Sequence, residues 1–265
     1  MQTSPSTSKW WQNAWAAFIF FTRLPLWRIY QPPRESYQAV IEYWPLTGWL
    51  TGCVMAATLY FGHLWMPFPL AIVVTILARV LLMGAFHEDG LADFIDGFGG
   101  GGSHRQRILD IMKDSHIGTY GVIGLIFYFL LLATTLYSLP VNISVLAIMA
   151  GDPFAKMLSG QVIQMLPYAR KEEEAKVKVV YRKIKMASAI GLAVQGLLPL
   201  ALFLYTYGDI MPWEYLLFVP CLVMYGLYLL IWNRLKGYTG DCCGAICLMV
   251  ELSFYLTAAV IVHQS

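Results

Sequence analysis

No Lys, Arg, Asp or Glu occurs between Tyr43 and Ala78, and none between Thr119 and Gly151. Charge-free runs of this length cannot coat a water-soluble domain, and each exceeds the about 20 residues a helix needs to cross roughly 30 Å of hydrocarbon. Inside lipid the backbone must satisfy its own polar groups, so such spans are helical. The scarcity of charge is global: charged residues make up 13% of the 265-residue chain, about half the share in soluble domains. The expected fold is therefore all-α, a polytopic membrane bundle of about 6–7 transmembrane helices. It should form one integral membrane domain over 1–265, with interfacial and short cytoplasmic helices and no soluble appendage.

Breakers divide the runs. Met66-Pro67-Phe68-Pro69 makes a helical hairpin of the first, with spans near 45–65 and 69–86. Ser138-Leu139-Pro140-Val141-Asn142 splits the stretch from Thr119 to about Leu166 into two more. Further spans fall near 187–208, 214–232 and 241–263; the last holds Glu251 and either crosses fully or re-enters. Trp10 to Phe21 is too short to cross and should lie along the interface, while 29–42 reads as a polar connection. Arg79, inside a span, either snorkels to the interface or pairs with an acid. Asp152 and Lys156, one turn apart, should form an intramembrane ion pair. The five cysteines read as small packing residues, since no nearby His completes a zinc set with Cys242, Cys243 and Cys247. The polar stretch Met1 to Ser8 leads into no short apolar core with a cleavage site, so a removable signal peptide is not expected.

The formal charge of +2 says little about partners, and no nucleic-acid partner is expected; how the charge is distributed says more. Connections near 66–69, 139–142 and 208–213 contain no Lys or Arg, whereas those near 22–42, 87–118, 168–186 and 233–240 contain nearly all of them. The two sets alternate along the chain, which puts the basic set in the cytoplasm. Tyr168 to Lys185, the most charged segment, reads as a solvated loop in which Arg170 is a candidate phosphate contact.

On that cytoplasmic side lies the region 86–119. It opens with Phe86-His87-Glu88-Asp89-Gly90-Leu91-Ala92-Asp93-Phe94-Ile95-Asp96-Gly97-Phe98, followed by Gly99 to Gly102. As a helix, this stretch puts Asp89, Asp93 and Asp96 on one face at i, i+4 and i+7. Such a face repels itself unless a cation is present, and Mg²⁺ prefers carboxylate and phosphate oxygens. The glycines either let backbone approach phosphate or form a plain flexible linker. Ser103 and Gln106 suggest a capping box opening a helix over 104–113. Three constellations share the predicted side: His87/Glu88/Asp89/Asp93/Asp96, Lys113/Asp114/Ser115/Gly118, and Gly237-Tyr238-Thr239-Gly240-Asp241. Carboxylates, a divalent cation and nearby basic groups are what phosphoryl or phosphodiester transfer requires.

The Asp-rich stretch, from Phe86 to Asp93 and then Asp96-Gly97, resembles the signature of the cobalamin synthase family, the adenosylcobinamide-GDP ribazoletransferases. Ile111-Met112-Lys113-Asp114-Ser115 with Ile117-Gly118-Thr119-Tyr120-Gly121 resembles its second motif. Gly237 to Asp241 with Gly244-Ala245 resembles its C-terminal motif, and Phe21-Thr22-Arg23-Leu24-Pro25 its N-terminal one. The chain departs from the family pattern at His116 and Lys156, where the family usually has Arg, and after Arg170. The resemblance implies a multi-pass enzyme of the bacterial cytoplasmic (inner) membrane, with its active site facing the cytoplasm. It would join α-ribazole, or its 5′-phosphate, to adenosylcobinamide-GDP, releasing GMP. In that reading Asp89, Asp93 and Asp96 hold Mg²⁺, Glu88 or Asp114 completes the shell, and Asp96 is the simplest general base. Lys113, Arg23 and Arg170 hold pyrophosphate, while Thr239 and Asp241 contact substrate or close the site; His87, Ser115, Gly118 and Gly240 belong to the same substrate-binding set. Homo-oligomerisation is left open. CDP-alcohol phosphotransferases and prenyltransferases also place Asp-rich helices at a membrane surface, but the later glycine-aspartate spacing differs from the former. A cation transporter would carry its ion site near the midplane, where only Asp152, Lys156, Glu251 and Arg79 are available.

Overall fold

The computed structural model describes residues 8–170 and 181–265. Among the described residues the regular structure is helical: α1 (Trp10–Phe21), α2 (Trp44–Trp65), α3 (Phe68–Met83), α4 (Phe86–Gly100), α5 (Arg105–Lys113), α6 (Thr119–Tyr137), α7 (Val141–Met165), α8 (Met186–Tyr207), α9 (Trp213–Leu235) and α10 (Gly240–Gln264). Five of these, α6 to α10, are long and apolar enough to cross a membrane. The pair α3 and α4, bent by 92° at their junction, makes a sixth when counted as one broken span. The expected span over 69–86 is thus corrected. α3 stops at Met83, and its 16 residues rise only about 24 Å. α10 is continuous over 25 residues, which removes the re-entrant alternative.

Most of α7 and α10 is buried, and the other helices pack around them. The outer helices turn apolar stripes outward: Val73, Leu77 and Leu81 on α3, Ile190, Val194 and Leu198 on α8, and Phe218, Leu222 and Tyr225 on α9 are all exposed. Helical spacing of exposed apolar side chains fits a lipid-facing surface, because in water such stripes would be buried. The intramembrane ion pair is present. Lys156 bonds Asp152 one turn earlier on α7, and Thr51 of α2 donates to the same carboxylate.

The expected polar connection over 29–42 proves to be largely a 3₁₀-helix, Arg34–Tyr43. It buries Ala39, Val40 and Ile41, so apolar packing there outweighs the polar composition. Its buried Glu42 accepts from Arg182 Nε at 2.7 Å and from Ser188 Oγ at 2.8 Å, tying the start of α2 to that of α8. The expected capping box is also absent. His104 is the N-cap residue of α5 without a side-chain cap, and Gln106 instead reaches one turn forward to Asp110.

Candidate active site

The charged connections meet at one end of the bundle, with α4 among them. Gly84 (φ 66°) and Ala85 (φ 55°) both adopt left-handed backbone and turn the chain out of α3 into α4. Glycine adopts this conformation freely; alanine does so at a cost of about 1–2 kcal/mol. The N-terminal motif docks on this bend. Arg23 N–H donates to Leu82 O at 2.7 Å, and the Arg23 stem covers Gly84, where a Cβ would lie 2.7 Å from Arg23 Cγ.

Around α4 nearly every direction is packed. Asp89 is exposed and Asp93 half-buried, while Asp96 is buried, so the acidic face runs from an open end into the protein. Asp96 accepts the N–H groups of Gly118 at 2.7 Å and Gly121 at 2.9 Å, closing the first turn of α6. The glycines permit this approach. A Cβ would lie 2.9 Å from Asp96 Cγ at Gly118, and 3.0 Å from Ala92 O at Gly121. His87 lies against both Phe21 and Trp44, at ring separations of 6.1 and 5.6 Å, and those two rings stack on each other at 5.2 Å. Glu88 points into the bundle, where Arg79 Nη2 meets its Oε1 at 3.1 Å.

The start of α10 crosses α4 at two glycines. A Cβ on Gly90 would lie 3.1 Å from both Cα and O of Asp241, and one on Gly244 would lie 3.3 Å from His87 O. Thr239 is the N-cap of α10, its Oγ1 accepting Cys242 N–H at 3.3 Å. Just before it, Tyr238 pairs with Tyr168 in a short parallel bridge: Ala169 N–H donates to Tyr238 O at 2.8 Å, and Tyr238 N–H to Pro167 O at 2.9 Å. Arg105 clamps this bridge through Ala169 O and Leu235 O, at 2.5 and 2.7 Å. Arg170 donates to Leu109 O at 3.2 Å, and Arg234 to Phe98 O at 2.8 Å. Burial raises the Tyr168 and Tyr238 hydroxyls above their ordinary range.

The co-location inferred from topology is thus present for α4, Gly118 and the 237–241 motif. Lys113, the last residue of α5, and Asp114 and Ser115, which follow it, lie exposed. There Asp114 Oδ1 sits 2.7 Å from His116 Nδ1 and accepts the His116 N–H at 3.0 Å; these contacts hold its carboxyl below the usual range. Three of the five expected metal-binding carboxylates therefore have other partners: Glu88 with Arg79, Asp114 with His116, and Asp96 with the Gly118 and Gly121 N–H groups. Residues 171–180, including Lys171, Glu172 to Glu174, Lys176 and Lys178 of the most charged segment, lie outside the described residues. The sequence reading missed the roles of Arg105, Arg234 and Tyr238, which close the site's rim. It also missed Gly90 and Gly244 as a crossing point, for which two small residues within motifs on separate helices were the available signal.

Among the described residues no three His, Cys, Asp or Glu side chains converge as a ready-made metal cage. The donor set still fits Mg²⁺, which commonly rests on one or two carboxylates and takes its other ligands from substrate phosphate and water. Asp89 and Asp93, one turn apart on the open part of α4, supply such a pair.

Comparison with known proteins identifies the family. The family model described as Cobalamin-5-phosphate synthase matches residues 13–259. The chain is 32% identical to the adenosylcobinamide-GDP ribazoletransferase of Leptospira interrogans, covering 94% of this chain and 96% of that one. It is 34% identical to that of Ralstonia pickettii, over 91% and 93%, and 36% identical to that of Leptothrix cholodnii, over 91% and 92%. No solved structure matches the chain. With the match running from α1 nearly to the end of α10, through all four motifs gathered around α4, the chain belongs to the cobalamin-5-phosphate synthase family.

Proposed function

We propose that the chain is a Mg²⁺-dependent adenosylcobinamide-GDP ribazoletransferase of the bacterial inner membrane, with its site on the cytoplasmic face. The 3′-hydroxyl of α-ribazole, or of its 5′-phosphate, attacks the cobinamide-linked phosphorus of adenosylcobinamide-GDP. The bond to the GMP oxygen breaks, GMP leaves, and adenosylcobalamin or its 5′-phosphate forms. The observation that carries this reading is the acidic face of α4, exposed at Asp89, half-buried at Asp93 and held between the starts of α6 and α10. The cytoplasmic assignment rests on the basic connections that surround it.

Asp89 and Asp93 would hold Mg²⁺ with the substrate's phosphates, and the cation supplies neutralisation of charge on the transferred phosphorus. Asp96, with both oxygens already accepting N–H groups, sets where α6 begins rather than taking the proton. Asp93, half-buried between the exposed Asp89 and the buried Asp96, would accept the proton of the attacking hydroxyl. Arg23 beside the α3–α4 bend, together with Lys113, would face the anionic leaving group. Arg170, tied to α5, would flank it. The α10 start brings Thr239, Gly240 and Asp241 beside α4, where the Asp241 backbone crosses Gly90.

The test is GMP release by detergent-purified protein given adenosylcobinamide-GDP and α-ribazole phosphate, with Mg²⁺ and with EDTA. Release that needs Mg²⁺ and yields a cobalamin product supports the reading. Folded protein that yields neither GMP nor a cobalamin product overturns it.

A further inference from the structure

Arg79 lies on α3, 3% exposed, below the acidic face. Its guanidinium reaches three other helices. Nη1 meets both oxygens of Glu251 on α10, at 3.1 and 3.0 Å. Nη2 meets Glu88 Oε1 of α4 at 3.1 Å and the Tyr128 hydroxyl of α6 at 2.6 Å. Tyr255, one turn beyond Glu251, donates to the same glutamate at 2.7 Å. Apolar side chains could fill this volume without burying three ionisable groups, and buried ion pairs are weak contributors to stability. Arginine does what an apolar group cannot: its planar fork fixes the directions of several partners at once.

Those partners belong to the helices that build the site. α4 carries the carboxylates, α6 begins at Asp96's two N–H donors, and α10 begins at Thr239 and Asp241. α4 and α6 are therefore joined twice, by Asp96 to Gly118 and Gly121, and by Glu88 through Arg79 to Tyr128. Eight residues separate Glu88 from Asp96, and seven separate Gly121 from Tyr128. At about 1.5 Å per residue these are ~12 and ~10 Å, so two antiparallel ties of matched spacing fix the register of one helix against the other. The tie to Glu251 extends the same constraint to α10, about 15 Å below Asp241. We infer that Arg79 is a positioning residue, holding α4, α6 and α10 in the register that sets the spacing of Asp89 and Asp93 from the starts of α6 and α10. The inference rests on the reading of these carboxylates as the active site.

Two readouts test it, one independent of activity. In Arg79→Lys the charge stays and the fork is lost. Turnover per folded enzyme should fall about 100-fold, as expected for small misplacement of reacting groups, with KM for both substrates changed less than about threefold. Hydrogen exchange at the Gly118 and Gly121 amides should become about tenfold faster, while amides in the middle of α8 and α9 keep their rates. Tyr128→Phe and Glu251→Gln each remove one tie and should give smaller changes of the same kind; they serve if the lysine variant does not fold. Wild-type turnover and wild-type exchange at Gly118 and Gly121 in folded variants would overturn the inference, as would faster exchange spread evenly over all helices. If the wild-type protein releases no GMP, the proposed function fails, and the exchange rates still decide whether Arg79 sets the register.

Discussion

The Asp96 carboxylate on α4 lies 2.7 Å from the Gly118 nitrogen, at the first turn of α6. Its other oxygen takes the Gly121 N–H, so a carboxylate from a different helix closes an end that Gly118, lacking a side chain, cannot cap. Asp96→Asn keeps one acceptor and turns an amide NH₂ toward the second N–H. The variant should lose about 1–3 kcal/mol of stability and most of its turnover. Asp89→Asn, on the exposed end of the same face, should lose turnover with its melting temperature unchanged. Thermal unfolding in detergent beside GMP release separates the two effects; an Asp96 variant that melts and turns over like the wild type would sink this account.

Backbone contact between α4 and α10 makes a second expectation. A Cβ at Gly90 would sit 3.1 Å from Asp241 Cα and O, and neither atom can rotate away. Gly90→Ala should therefore push the two helices apart by a few tenths of an ångström and lower turnover at least about tenfold, since catalysis is steeply sensitive to alignment. Gly226→Ala is the control: it lies exposed in α9 with nothing within 4 Å of an added Cβ. There the change should keep full turnover and stabilise the helix by up to about 1 kcal/mol. Equal effects at the two positions would refute the close-contact argument.

The later spans from Thr119 onward, the breaks and the Asp89/Asp93/Asp96 face were legible because each depends on local sequence: a run without charge, a proline, a spacing of four and seven. Relationships between helices were not. Glu88 looked like a fourth ligand until the fold turned it toward Arg79, because one residue along a helix means about 100° of rotation. Thr239 looked like a substrate contact, and its hydroxyl bonds within the first turn of its own helix, accepting the Cys242 N–H and reaching the Cys242 Sγ and Asp241 side chains. The bend at Ala85 left no trace in composition, since alanine ordinarily favours helix; only Gly84 beside it hinted at a break. The glycines at 118 and 121 were visible as a motif, but their reason is the Asp96 carboxylate, 22 and 25 positions away in sequence.

Thr239 can be tested directly. As N-cap of α10 it satisfies the Cys242 N–H, so Thr239→Val should cost about 1 kcal/mol, whereas Thr239→Ser should retain the cap. If capping is its whole role, the serine variant will show wild-type KM and kcat. A serine variant with intact stability and a raised KM would instead assign the threonine to substrate binding, which the proximity of Asp241 would accommodate.

The Asp152–Lys156 pair on α7 gives the sharpest energetic test, since it is buried, neutral as a unit and bonded to Thr51 of α2. Removing one partner leaves a charge without its counterion in the core, at a cost of about 3–5 kcal/mol. Asp152→Asn and Lys156→Met should each lower the unfolding temperature sharply. The double variant leaves no charge behind and should recover most of that loss, so the two substitutions will be strongly non-additive. Additive losses measured in a thermal-unfolding cycle would mean that each residue acts through neighbours other than its partner. Because the pair carries none of the proposed chemistry, turnover in the double variant should follow the folded fraction, whereas loss at Asp96 or Gly90 should exceed it.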